Sequence, residues 1–229
     1  MESIIRKYYP DAKPGREITN ESIGKLTGEF GFELDKTLLA TSVCSDEIIR
    51  SATNFRDYVD ENPFFLGGLA GFPFSGITGM KAFISHLPEQ GGAIILYGPH
   101  IGITSDGQVG FVNRKGQSNP SSCCGALHSS LNYLTSRKKN LPDRQDDYQM
   151  YLIDKLLEEE MKGESNVTGL PETTEVMYRL IDRKILKLTK EISREKPDCK
   201  FALVGGVIVN TDYGKPDWFD LRRIELVKI

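Results

Sequence analysis

Apolar positions along the chain fall into two kinds of run. Residues 37–43 (TLLATSV), 93–97 (AIILY) and 201–209 (FALVGGVIV) are short and almost free of polar alternation. Runs of that length predict strands buried on both faces. Residues 218–229 alternate well enough to predict a last strand at or near an edge, and 108–113 predict a short strand or hairpin. The second kind repeats every three or four residues and predicts helices. One covers 2–9 and stops at Pro10. Another is capped by Thr19 or Asn20 and turns Ile23, Leu26 and Phe30 inward. Further helices are expected from Ser45 or Asp46 to Tyr58, over 76–86, from Cys123-Cys124-Gly125 to Asn140, over 144–162 and over 171–194. In the last two the apolar faces read as Tyr148, Tyr151, Leu152 and Leu156, and as Val176, Leu180, Ile185 and Leu188. Residues 163–169 form a loose connection between them. The order is mixed α/β: a mixed central sheet with flanking helices.

Length adds that 229 residues suffice for one domain with a sizeable core. We read 1–229 as a single unit, with a helical arm over about 1–35 and a helical segment over about 144–195 packed on it. A net charge of −3 argues against a nucleic-acid surface. The basic cluster Arg137-Lys138-Lys139 reads as a solvated helix end. No apolar run reaches the length of a membrane span. The first residues lack a secretory pattern, so the expected location is the cytoplasm, or an organelle lumen if a transit peptide has been removed. Four cysteines then point to metal binding or catalysis in a reducing compartment rather than to disulfides.

The predicted elements give those cysteines meaning. Cys44 ends the first buried strand, His100 follows the second in Gly98-Pro99-His100, and Cys123 or Cys124 opens a helix. Carboxyl ends of strands and helix N-termini are where open α/β sheets place their chemistry. Two thiolates and an imidazole suit a catalytic zinc that keeps its fourth position for water. Asp46 and Arg50 stand at i and i+4 beside Cys44, which fits a functional pair or a surface ion pair with Asp46 as cap. The stretch 64–75 (FFLGGLAGFPFS) predicts an apolar pocket wall made by Phe64, Gly68, Leu69 and Phe72. Cys199 reads as a small buried hydrophobe, and His86 and His128 as packing or hydrogen-bonding residues.

The segments SVCSDEIIR, GGLAGFPFSGITG, ILYGPHIGI, CCGA and LVGGVIVNTD together resemble the limiting-CO2-inducible B protein family of theta-class, beta-like carbonic anhydrases. The resemblance implies a fold similar to beta-class carbonic anhydrases, a homodimer, and reversible hydration of CO2 to bicarbonate through a zinc-bound hydroxide. It implies Zn2+ held by Cys44, His100 and a second cysteine. Cys124 matches by preceding glycine, with Cys123 as the alternative. It also implies an Asp-Arg dyad, for which Asp46 stands at the expected offset and Arg50 two residues beyond it. With two thiolates on zinc, activity is expected to rise with pH. The alternative is a non-catalytic zinc protein of the same fold that responds to CO2 or bicarbonate. A thiol hydrolase using Cys44 or Cys124 with His100 is a third reading.

Overall fold

The unbroken apolar runs form the middle of one sheet. A computed structural model describes residues 1–51, 54–59, 62–136, 140–162 and 169–227, with the backbone alone at Arg50 and Ser51. Helix α1 (Glu2–Tyr8) and the short strand β1 (Lys13–Pro14) lead into helix α2 (Gly15–Gly28). Strand β2 (Thr37–Ser42) is followed by 3-10 turns at Glu47–Ser51 and Asn54–Tyr58, strand β3 (Phe64–Phe65) and helix α3 (Gly76–Ser85). Strands β4 (Gly92–Tyr97), β5 (His100–Gly102), β6 (Phe111–Val112) and β7 (Ser121–Ser122) precede helix α4 (Gly125–Thr135). Helices α5 (Tyr148–Met161) and α6 (Leu170–Ser193) and strands β8 (Lys200–Asn210) and β9 (Trp218–Leu226) complete the order.

The main sheet runs β1-β9-β8-β4-β2-β3, with β5 also beside β8. Strands β3, β2, β4, β5 and β8 are parallel, whereas β9 is antiparallel to β8 and β1 to β9. The sheet is therefore mixed, with helices flanking it. Every residue of β4 is buried, as its unbroken apolar sequence predicts. Strands β6 and β7 pair separately as a hairpin.

The strand expected to end at Gly98-Pro99-His100 instead pauses there and resumes. β4 pairs with 200–205 of β8, and β5 pairs with 208–210. At the break, a Cβ on Gly98 would overlap the Gly206 carbonyl oxygen. Pro99 cannot donate, but its carbonyl accepts from Ile208 N at 3.0 Å. His100 thus sits on a strand, held by a neighbour on β8, rather than in a loop.

Three other expectations shift. Helix α2 begins at Gly15, after Pro14, and Thr19 bonds back to the Gly15 carbonyl at 2.8 Å inside it instead of capping it. Glu47–Ser51 and Asn54–Tyr58 form 3-10 turns rather than one α-helix. Phe55 is buried there and Asn54 N donates to Thr19 Oγ1 at 3.3 Å, so tertiary anchors replace the α-helical ladder. In α5 the inward residues are Met150, Ile153, Asp154 and Leu157, and Tyr148 is half exposed. Asp154 turns inward because Ser130 of α4 donates to it at 2.6 Å. The α6 face is as expected, with Val176, Leu180, Ile185 and Leu188 buried. The cluster 137–139 and most of the loose connection, 163–168, lie outside the described residues. Among the described residues, no helix is long and apolar enough to cross a membrane.

Candidate metal centre

Parallel strands β2 and β4 are neighbours, so whatever follows their carboxyl ends meets in space. Cys44 lies two residues beyond β2, and His100 opens β5 beyond the end of β4. Cys124 arrives from the other direction as the N-cap residue of α4. Gly102 N donates to the Cys123 carbonyl at 2.9 Å and Cys123 N to the Gly110 carbonyl at 2.8 Å, which fastens the cysteine pair to the end of β5. The result is a buried cluster in which ligand atoms of Cys44, His100 and Cys124 lie within 4.8 Å of one another. Asp46, His100 and Cys123 form a second grouping within the same limit.

The Cys44 and Cys124 sulfurs are 3.8 Å apart. The contact with Cys124 lowers the Cys44 thiol to about 4, and burial opposes this. Cys124 is pushed up correspondingly by that same contact and by burial. Burial disfavours a charged His100, but the neighbouring Cys124 and Cys123 together outweigh it and raise the imidazole well above its ordinary value. Burial also pushes the Cys123 thiol up. Among the described residues His100 Nε2 is fully buried without a hydrogen-bond partner, while Nδ1 lies 2.8 Å from Asn210 Oδ1. An orphaned ring nitrogen beside two cysteine sulfurs is costly unless a metal ion takes its lone pair, so the donor set could hold one.

Asp46 is gripped by Arg114. Guanidinium NH1 and NH2 donate to Oδ1 and Oδ2, each at 2.8 Å, and both side chains are largely withdrawn from solvent at 13% and 15% exposure. Paired bonds of this kind are strong and directional. Burial resists ionisation of Asp46, but the Arg114 bonds prevail and hold the carboxyl at about 2. Arg114 Nε donates in turn to Ser121 Oγ at 2.9 Å, and NH1 to the exposed Glu47 at 2.5 Å. The sequence reading missed Arg114, which lies 68 residues from Asp46 in the turn between β6 and β7. A basic residue in that Asn-Arg-Lys-Gly turn was the available signal. The placement of Arg50 beside Asp46 assumed α-helical spacing that the chain does not adopt, and the Arg50 side chain lies outside the described residues.

Cys44 and Asp46 border a cavity of about 640 Å³, shared with Val43, Ile49, Phe65 and Gly67 among others. From the stretch expected to form a pocket wall, Phe65 and Gly67 line this cavity, and Phe64, Gly68, Leu69 and Phe72 are not among its described lining residues. Side chains alternate along β3, so Phe65 faces outward while Phe64 packs on Phe83 at 5.6 Å. Gly67 and Gly71 lie against backbone, and Gly68 against the Gln149 and Phe74 side chains. A Cβ on Gly71 would overlap the Gly98 carbonyl, and one on Gly67 that of Val43. Leu69 N donates to Gln149 at 2.8 Å, and Phe72 meets Phe74 edge-on with ring centroids 5.2 Å apart. His128 bonds the Gly110 carbonyl at 2.7 Å, His86 packs against Phe64, and Cys199 is buried near the Pro88 carbonyl.

No curated protein matches the chain. Among solved structures, PtLCIB4, a homolog of the limiting CO2-inducible protein LCIB, superposes with a TM-score of 0.88 at 28% identity, covering 100% of this chain and 99% of that one. The limiting CO2-inducible protein LCIB itself superposes with a TM-score of 0.74 at 21% identity, over 99% and 98% of the two chains, a likeness of fold. The family profile described as limiting CO2-inducible proteins B/C beta carbonic anhydrases matches residues 15–228, and the chain belongs to that family.

Proposed function

We propose that the protein is a zinc-dependent carbonic anhydrase interconverting CO2 and bicarbonate. The observation that carries this reading is the convergence of Cys44, His100 and Cys124 beside an Asp46 held by Arg114. Two sulfurs bound at about 2.3 Å to one tetrahedral zinc stand about 3.8 Å apart, and the Cys44–Cys124 separation is 3.8 Å. The partnerless His100 Nε2 supplies the third donor. Zinc, when bound, supplies the Lewis acidity that makes water a nucleophile near neutral pH.

The chain's own residues do the rest. Cys44 and Cys124 bring negative charge that draws the cation in, and His100 ligates as the neutral ring. Asp46 accepts the proton-bearing side of the attacking water and aims its lone pair at the substrate carbon. Arg114 keeps Asp46 ionised and turned toward itself, so that the carboxylate would not join Cys44, His100 and Cys124 in holding the metal. The apolar side chains of Val43, Ile49 and Phe65 around the cavity suit a small uncharged substrate. A homodimer belongs to the same proposal, and Phe65, 71% exposed on the edge strand β3, offers apolar surface to a second copy.

Stopped-flow CO2 hydration with zinc quantified in the same sample tests the reading. We expect turnover with about one zinc per chain, the catalytic stoichiometry of such sites, and loss of both in Cys44→Ala. Zinc without turnover would move the function to a non-catalytic CO2- or bicarbonate-responsive protein. Turnover in metal-free protein would instead favour thiol chemistry.

A further inference from the structure

Asn210 ends β8 opposite Gly102, two positions along the register from the His100–Ile208 pair. Its backbone carbonyl accepts from Ile103 N at 2.9 Å, and its side chain is fully buried, as is that of His100. Asn210 Oδ1 stands 2.8 Å from His100 Nδ1. The steps above leave this residue without a task.

We propose that Asn210 is the positioning residue for the metal-ligating imidazole: its side-chain oxygen accepts the Nδ1 proton of His100, fixing the tautomer and ring orientation so that the Nε2 lone pair is reserved for the metal. The inference rests on the zinc reading. A neutral imidazole carries one N–H and one lone pair, so a partner at one nitrogen decides what the other can do. Metal-bound histidines ordinarily donate their second N–H to such an acceptor, which orients the ring and raises its basicity. Nε2 is the nitrogen left without a partner.

Cys123 is the competitor for Nδ1, with its sulfur 3.3 Å from that nitrogen and 3.6 Å from Asn210 Oδ1. A neutral thiol is a weak acceptor, whereas the amide oxygen has two lone pairs and can take both the ring N–H and the thiol hydrogen. The orientation of the amide is decisive. With Nδ2 toward the ring, Nδ1 would have to accept, Nε2 would carry the proton, and the imidazole could not ligate. Among the described residues the polar contacts of this buried side chain are made by Oδ1, to the ring nitrogen and to the Cys123 thiol, and the proposal requires that orientation.

The chain has 3 histidines, which makes ring resonances assignable in ¹⁵N-histidine-labelled protein. Wild type, Asn210→Ala and Asn210→Asp are compared by the His100 Nδ1–H resonance and by zinc affinity against a competing chelator. We expect a protected Nδ1–H in wild type and Asn210→Asp, lost in Asn210→Ala. Zinc affinity should fall about 10- to 100-fold in Asn210→Ala and stay near wild type in Asn210→Asp, which keeps the acceptor. A wild-type ring without a proton on Nδ1 would overturn the inference, as would an Asn210→Ala protein with the same resonance or an unchanged zinc affinity. If Asn210→Ala does not fold, the wild-type Nδ1 assignment and the Asn210→Asp affinity decide in the same way. Wild-type protein that takes up no zinc would sink the zinc reading itself, visibly apart from a failure of Asn210 to hold the ring.

Discussion

At the scale of single residues, the Asp46–Arg114 pair is the part of the site most open to test. Replacing Arg114 with alanine leaves the three metal donors in place but frees the carboxylate. Zinc should therefore stay bound while kcat falls by about 100-fold or more, the range for loss of a positioned proton acceptor. Arg114→Lys should recover little of this, because an ammonium cannot make two parallel bonds to one carboxylate. Glu47 meets the same guanidinium from a largely exposed position, so Glu47→Gln should change kcat by less than about threefold. Steady-state CO2 hydration with metal analysis separates these outcomes. Legibility in sequence follows the same division. Cys44, His100, Asp46 and the cysteine pair could be picked out because strand ends and a helix start are visible as changes in apolar pattern. Arg114 and Asn210 could not, since each reaches its partner across the fold: a basic residue in a turn is a local signal but does not say which carboxylate it meets, and an asparagine at a strand end carries no such signal.

At the scale of elements, the break between β4 and β5 places His100, and it depends on two facing glycines. A methyl on Gly98 has nowhere to go except into the backbone of β8. We expect Gly98→Ala to destabilise the protein by about 3 kcal/mol or more, as forced overpacking does, measurable as a lowered urea midpoint. Behind the sheet, Arg223 of β9 donates to both carboxylate oxygens of Asp182 on α6, at 2.7 and 2.9 Å, and Tyr97 of β4 donates at 2.5 Å. Burial works against a charged Asp182, but these bonds win and lower its pKa. Its folded value lies below the unfolded one, so its contribution is present above the unfolded value near pH 4 and is lost as pH falls through the folded value. Asp182→Asn should cost about 2 kcal/mol at pH 7 and show a shallower acid loss in urea titrations. The central strands were readable because β2, β4 and β8 are buried on both faces. The 3-10 turns after Cys44 and the rotated face of α5 were not. There Thr19, Phe55 and the Ser130–Asp154 bond, all tertiary contacts, override the helical period.

At the scale of the molecule, a cation bound by Cys44, His100 and Cys124 would tie β2, β4–β5 and α4 together. Ligand bound only by the folded state stabilises it by mass action, about 4 kcal/mol at a thousandfold excess over Kd. Chelator-stripped protein should therefore unfold at a lower temperature than zinc-loaded protein in differential scanning calorimetry, and added zinc should restore the difference. The place of β8 in the sheet has a temporal side as well. It lies between β4 and β9, pairs with both halves of the interrupted strand, and carries the oxygen that faces His100. Yet it follows β2, β4, β5 and α4 in the chain. A nascent chain paused on the ribosome before β8 has emerged already owns all three donors, but lacks the strand beside which β4 and β5 must lie. Metal capture by the assembled site would therefore have to wait until β8 has emerged, and an earlier encounter with a cation would meet only loose thiols.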